Sequence, residues 1–230
     1  MCNIYQPASR EFLETQWTRH ISSEMQYKPR IGPRDNGPFV TAVDLRVGQW
    51  GMIRPGSRER VAKDRNGRAM MTNNARAERV ATAPTYRDAW RNGARCLIPA
   101  ESYDEPYWGT GKNIWWRFKR ADQTPWMLAG LWSEWTDLTT GEIVSSYTML
   151  TMNCDTHPLL RLMHKPDTNQ PSDQQDKRSV VVIERADWDL WLRGSVDDAT
   201  ALIQLPGMDV FEHGPADSSK QIHLPMSDAA

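Results

Sequence analysis

Between residues 94 and 183 the chain repeats one pattern: short apolar or alternating runs, separated by residues that turn the backbone. The runs cover 94–99, 114–118, 126–132, 146–152 and 179–183, and pairs such as Ala121-Asp122 and Thr140-Gly141 stand between them. Successive side chains of an extended strand point to opposite faces, so runs of this kind are predicted to pair as strands with one face against a core. Two further strands are predicted at 40–43 and 49–53.

Helices are predicted on either side of this centre. Residues 9–25 place Phe12, Leu13 and Trp17 on one side of an early helix. Pro84 opens a short helix at 85–91, closed by Asn92-Gly93. Further helices are predicted at 157–163, at 186–192 with Trp188 and Trp191, and at 196–205 with Asp197 and Asp198 in the favourable first turn. Residues 27–39 read as loop, 54–72 as a basic exposed loop, 167–177 as a polar surface insertion with nothing to bury, and 211–230 as a C-terminal tail. No internal repeat or linker divides the 230 residues, a length that buries one substantial core.

Three cysteines, Cys2, Cys96 and Cys154, with no close pair, argue against a disulfide framework and for a reducing compartment. Cys96 and Cys154 sit in apolar runs and read as core. No apolar run is long enough to span a bilayer and the N-terminus lacks a signal-peptide core, so the expectation is a soluble, cytoplasmic protein. The net charge of −1 hides an asymmetry: residues 54–95 hold eleven Lys/Arg against four acids, whereas 167–230 hold twelve acids against five bases. A basic middle fits a polyanion bound on one face, or equally a solvated basic loop.

Some residue types carry chemistry. If Met1 is trimmed, Cys2 becomes the N-terminus, with an amine and a thiol on adjacent carbons. Their reference pKa values, about 7.7–8.0 and about 8.5, leave both partly nucleophilic near neutral pH. Such a 1,2-aminothiol condenses with an aldehyde to an imine and then closes a thiazolidine. Asn74 both donates and accepts hydrogen bonds, and Arg76 offers a planar fork for phosphate. Glu105, just past a predicted strand end in a loop with Glu101 and Asp104, stands where a general acid/base is useful. His157 and His164, seven apart, fall on one side of the predicted helix, and His164, at the helix end beside Lys165, is the candidate to relay protons. Each also has a bland reading: a small residue after the start, a capped turn, an acidic turn, a helix-end histidine. Nothing has metal-ligand spacing. Among eleven tryptophans most should be core, with one or two exposed beside Arg able to stack on bases.

Taken in order, these residues resemble the SOS response-associated peptidase (SRAP) family, whose members crosslink to abasic sites in single-stranded DNA. The likeness rests on Met1-Cys2, Trp50-Gly51 followed by a Pro, Asn74-Ala75-Arg76-x-Glu78, Tyr86-Arg87-Asp88-Ala89-Trp90, Arg95-Cys96-Leu97-Ile98-Pro99-Ala100 and Glu105. It continues with Ala129-Gly130-Leu131-Trp132, Thr148-x-Leu150-Thr151, His164 and Val180-Val181-Val182-Ile183. The resemblance implies a single α+β domain over 1–230, with a barrel-like mixed sheet flanked by helices. It implies Cys2 as the nucleophile, Asn74 as a hydrogen-bond partner of the adduct, Glu105 and His164 as proton carriers, and Arg76 on a flanking phosphate. It implies no metal or organic cofactor, and as partner single-stranded DNA carrying abasic sites, with association with the nucleoid when on DNA; a monomer is the default expectation, since the sequence gives no oligomeric state.

The chain departs from the family in places. Asn3 and Ile4 follow Cys2 where many members read Gly-Arg. Arg54-Pro55-Gly56-Ser57-Arg58 stands where the family carries a second Trp, leaving Trp50 with Arg54 or Arg58 for DNA contact. Asp104-Glu105-Pro106 replaces Tyr-Glu-Trp, and His164-Lys165-Pro166 leaves Arg178 as the returning basic residue. Two rivals accompany this reading: a self-processing peptidase with Cys2 as N-terminal nucleophile, and a non-catalytic single-stranded-DNA-binding module.

Overall fold

A computed structural model of the chain describes residues 2–17, 26–61, 63–64 and 66–216. The second half of the early helix predicted over 9–25, and most of the predicted tail, lie outside these residues. Ten strands occur among the described residues: β1 (Ile4–Pro7), β2 (Asn36–Val40), β3 (Leu45–Trp50), β4 (Asn74–Arg76), β5 (Arg95–Tyr107), β6 (Ile114–Arg120), β7 (Trp126–Thr136), β8 (Ile143–Asn153), β9 (Arg178–Val180) and β10 (Phe211–Pro215). Four short helices accompany them: α1 (Arg10–Trp17), α2 (Arg87–Arg91), α3 (Trp188–Arg193) and α4 (Val196–Ala201).

The strands form one mixed sheet that closes on itself. β5 pairs with β2, β2 with β3, β3 with β8 in parallel, β8 with β7, and β7 returns to β5. Closure removes the exposed edges that an open sheet would present. The remaining strands extend this five-stranded ring: β1 and β6 on β5, β10 on β6, and β4 and β9 on β8.

The alternation seen in sequence sorts the core into two layers. Cys96, Ile98, Trp126, Leu128, Tyr147 and Met149 share one apolar cluster with Tyr5, Phe39 and Trp50. Their neighbours Leu97, Met127, Ala129, Leu131 and Leu150 fall in the other, with Leu13, Trp90, Trp191 and Leu192 from the helices. One face of each strand thus lines the barrel and the other receives the helices, as a period of two requires. Arg95, counted in sequence with the basic middle, is instead buried under α3, and its guanidinium donates to the carbonyls of Trp191 and Gly194 at the end of that helix. That placement satisfies carbonyls left open at a helix C-terminus.

Several sequence expectations are corrected. β5 runs thirteen residues, through Pro99 and Pro106, so Glu105 lies inside a strand and not in a loop past its end. β5 changes partners along its length: Arg95–Ala100 pair with β7, with Pro99 opposite Met127, and Tyr103–Tyr107 pair with β6, with Pro106 opposite Trp115. The predicted helix at 157–163 is only a 3-10 turn over Leu160–Leu162, so His157 and His164 share no helix face. His157 caps that turn: its Nδ1 accepts from the amides of Leu159 and Leu160 at 3.2 and 3.1 Å, and its Nε2 faces the carbonyl of Pro206. The first part of the predicted tail is the edge strand β10. Residues 27–39 hold Ile31 bridged to Tyr5 and most of β2.

Candidate active site

Cys2 enters the barrel ahead of β1, which lies antiparallel on β5 with Ile4 opposite Asp104 and Tyr5 opposite Tyr103. The Cys2 side chain is fully buried in the chain that still carries Met1, and its Sγ lies 3.5 Å from the carbonyl of Ile4. Two neighbouring amides hold its backbone. Asn74 Nδ2 donates to the Cys2 carbonyl at 2.7 Å, and Asn73 Nδ2 donates to the same oxygen at 3.4 Å and to Asn3 Oδ1 at 3.1 Å. Asn74 sits on β4, which is parallel to β8, so the strand pairing fixes where its side chain emerges. Its Oδ1 is buried and makes no hydrogen bond, a free acceptor beside the N-terminal residue.

On β5, period-two alternation separates neighbouring carboxylates. Tyr103, Glu105 and Tyr107 project to one face, and Asp104 to the other. Asp104 is buried beneath two arginines, taking Arg117 through both oxygens at 2.9 and 3.0 Å and Arg30 at 2.7 Å. It is a structural ion centre. Glu105, 4% exposed, instead meets His164, whose Nε2 lies 3.0 Å from Glu105 Oε2.

The backbone explains how His164 arrives there. Pro106 has no amide hydrogen, but its carbonyl accepts from the His164 amide at 2.6 Å, and Tyr107 bridges Met163. His164 takes a left-handed backbone, φ 62°, one of four non-glycine positive-φ residues among those described. Backbone of this kind in a bulky side chain is sparsely populated and clusters at functional sites. The carbonyl of His164 accepts in turn from Lys177 Nζ at 2.6 Å.

Burial raises the Cys2 thiol well above its ordinary range, and the charge of Glu105 raises it further. The phenol of Tyr103 is raised by the same two influences, in the same order. Cys2, Glu105 and Tyr103 therefore share one low-dielectric environment, in which the carboxylate keeps the thiol protonated. Asn73 and Tyr103 escape a reading by motif. The Asn73-Asn74 doublet and the i, i+2 spacing of Tyr103 and Glu105 are the signals that point to them.

The residues expected at a DNA face are dispersed. Arg54 and Arg58 are exposed on the turns after β3. Trp50 is not available for stacking: it is fully buried, packs edge-on against Tyr5 and donates from Nε1 to the carbonyl of Asn73 at 2.8 Å. Arg178 is likewise not a surface contact. It is buried, and binds Glu78 at 2.8 Å, Asp176 at 3.1 Å and the carbonyl of Thr151 at 3.1 Å. Arg76 is half exposed and pairs with Asp176 at 2.8 Å. Among the described residues no group of three or more His, Cys, Asp and Glu side chains is placed to hold a metal ion.

Fold and site together define an α+β single-domain protein: a closed mixed barrel in which buried Cys2 is held by Asn74 and feels the charge of Glu105, itself paired with His164. The family profile described as SOS response associated peptidase (SRAP) matches residues 1–215, and the chain belongs to that family. A crystal structure of a protein from Bordetella bronchiseptica superposes with a TM-score of 0.79 at 30% identity, over 94% of this chain and 100% of that one. A crystal structure from Bacteroides thetaiotaomicron gives 0.76 at 16% identity, over 95% and 93% of the two chains. A phage-related protein of Bordetella bronchiseptica gives 0.61, also at 16%, over 94% and 93%. The last two share the fold. No curated protein matches the chain. No described helix is long and apolar enough to cross a membrane.

Proposed function

We propose that the chain, once Met1 is removed, binds single-stranded DNA and joins Cys2 covalently to the aldehyde of an abasic site. The observation that carries this reading is the enclosure of Cys2: its carbonyl is held by Asn73 and Asn74, and the Glu105–His164 pair stands beside its thiol. A residue that served only as core filling would need neither two amides on its carbonyl nor a buried carboxylate acting on its thiol.

In the proposed reaction the Cys2 amine adds to the ring-opened aldehyde carbon and water leaves, forming an imine. Glu105 and His164 carry the protons to and from that oxygen. The thiol then adds to the imine carbon and its proton passes, through Glu105, to the nitrogen, closing a thiazolidine. No oxidant, reductant or leaving group other than water is required. Asn74 Oδ1 offers an acceptor to the amine or to a sugar hydroxyl. Arg76, Arg54 and Arg58 are assigned to phosphates, and the encounter should therefore weaken with salt while the finished adduct survives it.

The test is a denaturing gel of the protein with a single-stranded oligonucleotide carrying one abasic site, beside Cys2→Ala, with intact mass confirming loss of Met1. A shifted band that needs both Cys2 and the lesion is the expected result. Absence of that band from processed protein overturns the reading. Cleavage of peptides other than the Met1 bond would favour a peptidase in its place.

A further inference from the structure

The 167–177 loop is exposed, yet it is ordered by its own hydrogen bonds. The Gln175 side chain donates to the carbonyls of Asp167, Gln170 and Pro171 and accepts from the Asp167 amide. The last residues of the loop are pinned from the other side, where Asp155 accepts from the amides of Asp176 and Lys177 at 3.0 and 2.8 Å. This framework turns Asp176 into the left-handed region, φ 50°, and aims its carboxylate back at the sheet. There its two oxygens are divided: Oδ2 takes Arg76 at 2.8 Å and Oδ1 takes Arg178 at 3.1 Å.

We propose that Asp176 is an internal mimic of a DNA phosphate on Arg76, held from below by the buried Arg178, and that it keeps this seat until DNA displaces it. The inference rests on the DNA-binding reading above. Two oxygens of one anion, each taking a separate guanidinium, have the acceptor layout of the two non-bridging oxygens of a phosphodiester. The two arginines differ in freedom. Arg178 is 5% exposed and anchored to Glu78 and Thr151, whereas Arg76 and Asp176 are each 47% exposed. The Arg76–Asp176 pair, exposed on both sides, is weakly held in water, so a phosphate can replace Asp176 on Arg76. The adjoining Lys177 donates to the carbonyl of His164, so the loop that leaves Arg76 is tied to the segment bearing the site histidine. Asp176 thereby sets a threshold: only a strand that presents a phosphate at Arg76 opens the seat.

The experiment measures binding of a fluorescent, undamaged single-stranded oligonucleotide to wild type, Asp176→Asn, Asp173→Asn, Arg76→Gln and the Asp176→Asn/Arg76→Gln double variant, across a salt series. Asn keeps the shape of Asp and tolerates the left-handed backbone, so the Asp176 variant should fold. Asp176→Asn is expected to bind about threefold to fivefold more tightly at low salt, with the gain lost in the Arg76→Gln background. Asp173, exposed in the same loop, controls for net charge, and its variant should gain clearly less. Equal gains from Asp173→Asn and Asp176→Asn, or no gain from Asp176→Asn, would overturn the plug while leaving DNA binding intact, provided Arg76→Gln weakens binding. No effect of Arg76→Gln would overturn the plug together with the assignment of this face to DNA.

Discussion

At Glu105 the position of a single residue along β5 separates two carboxylates that are adjacent in sequence. Asp104 turns outward to neutralise Arg30 and Arg117, while Glu105 turns inward to the thiol and His164. This geometry gives Glu105 two opposed effects. Its charge raises the thiol of Cys2, and its oxygen serves as the proton carrier of the proposed condensation. Glu105→Gln is therefore expected to slow crosslinking by about a hundredfold or more, the usual worth of a general acid/base. Alkylation of Cys2 by iodoacetamide in the processed protein should accelerate, because removal of the charge lets the thiolate form at lower pH. Rates that fall together, or a crosslinking rate unchanged by the substitution, would remove Glu105 from the chemistry. Cys2, Asn74, Glu105 and His164 were legible as residue types in a familiar order. That Trp50 and Arg178 are internal was not, because their burial comes from Tyr5, Asn73 and Glu78, partners far away in the chain.

Among the elements, β7 shows how closely the ring is packed. Gly130 pairs with Cys96 on one side and Met149 on the other. A Cβ built there would lie 2.7 Å from the carbonyl oxygen of Thr148 and 2.8 Å from Cys96 Sγ. Since the first contact is backbone, it cannot relax by a rotamer change. Gly130→Ala is expected to destabilise the protein by about 1–3 kcal/mol, a fall in melting temperature of roughly 2–4 °C per kcal/mol for a chain of this size. An unchanged melting temperature would mean that β7 and β8 separate at this point without cost. Strand existence in the centre was readable from alternation, but strand length was not. β5, β7 and β8 all extend beyond their apolar runs because a partner on each side supplies the ladder hydrogen bonds that polar residues such as Glu105 and Ser145 do not signal. β1, β4 and β10 are short or polar segments that only pairing makes into strands.

For the whole molecule, two histidines away from the site, buried His157 and exposed His213, weigh on the acid side of stability. His213 Nδ1 accepts from Trp116 Nε1 at 3.0 Å, and His157 Nδ1 accepts two backbone amides. Loss of ring solvation lowers both below the ordinary value of 6.5, and the exposure of His213 leaves the larger share of the effect to His157. A group whose folded pKa is depressed contributes stability above its unfolded pKa and loses it as the pH falls below that value. The melting temperature should hold steady above about pH 7 and decline from about pH 6.5 downward. A further loss should set in below about pH 4 as Asp35, Glu78, Asp122 and Asp198, all held low in the fold, take up protons. A melting temperature that rises between pH 7 and pH 5 would contradict this assignment. The charge asymmetry belongs to the same scale: Asp176 from the acidic part pairs with Arg76 from the basic middle, so the two halves of that asymmetry partly meet inside one molecule.

What the sequence by itself determined is local or ordered along the chain. The alternation of apolar residues dictates strands and two core layers, because side-chain direction on a strand depends only on position. The order of Cys2, Asn74, Glu105 and His164 marks the family, because residue types carry their chemistry with them. The tertiary structure decided which of these groups meet and which are enclosed. Pairing of β1 on β5, and of Tyr107 with Met163, brings Cys2 and His164 to Glu105 and leaves Asp104 with Arg30 and Arg117. The physical reason is that burial, ion pairing and closure of a barrel depend on contacts between residues a hundred or more positions apart, as between Glu78 and Arg178 or Tyr5 and Tyr147, which no local pattern encodes.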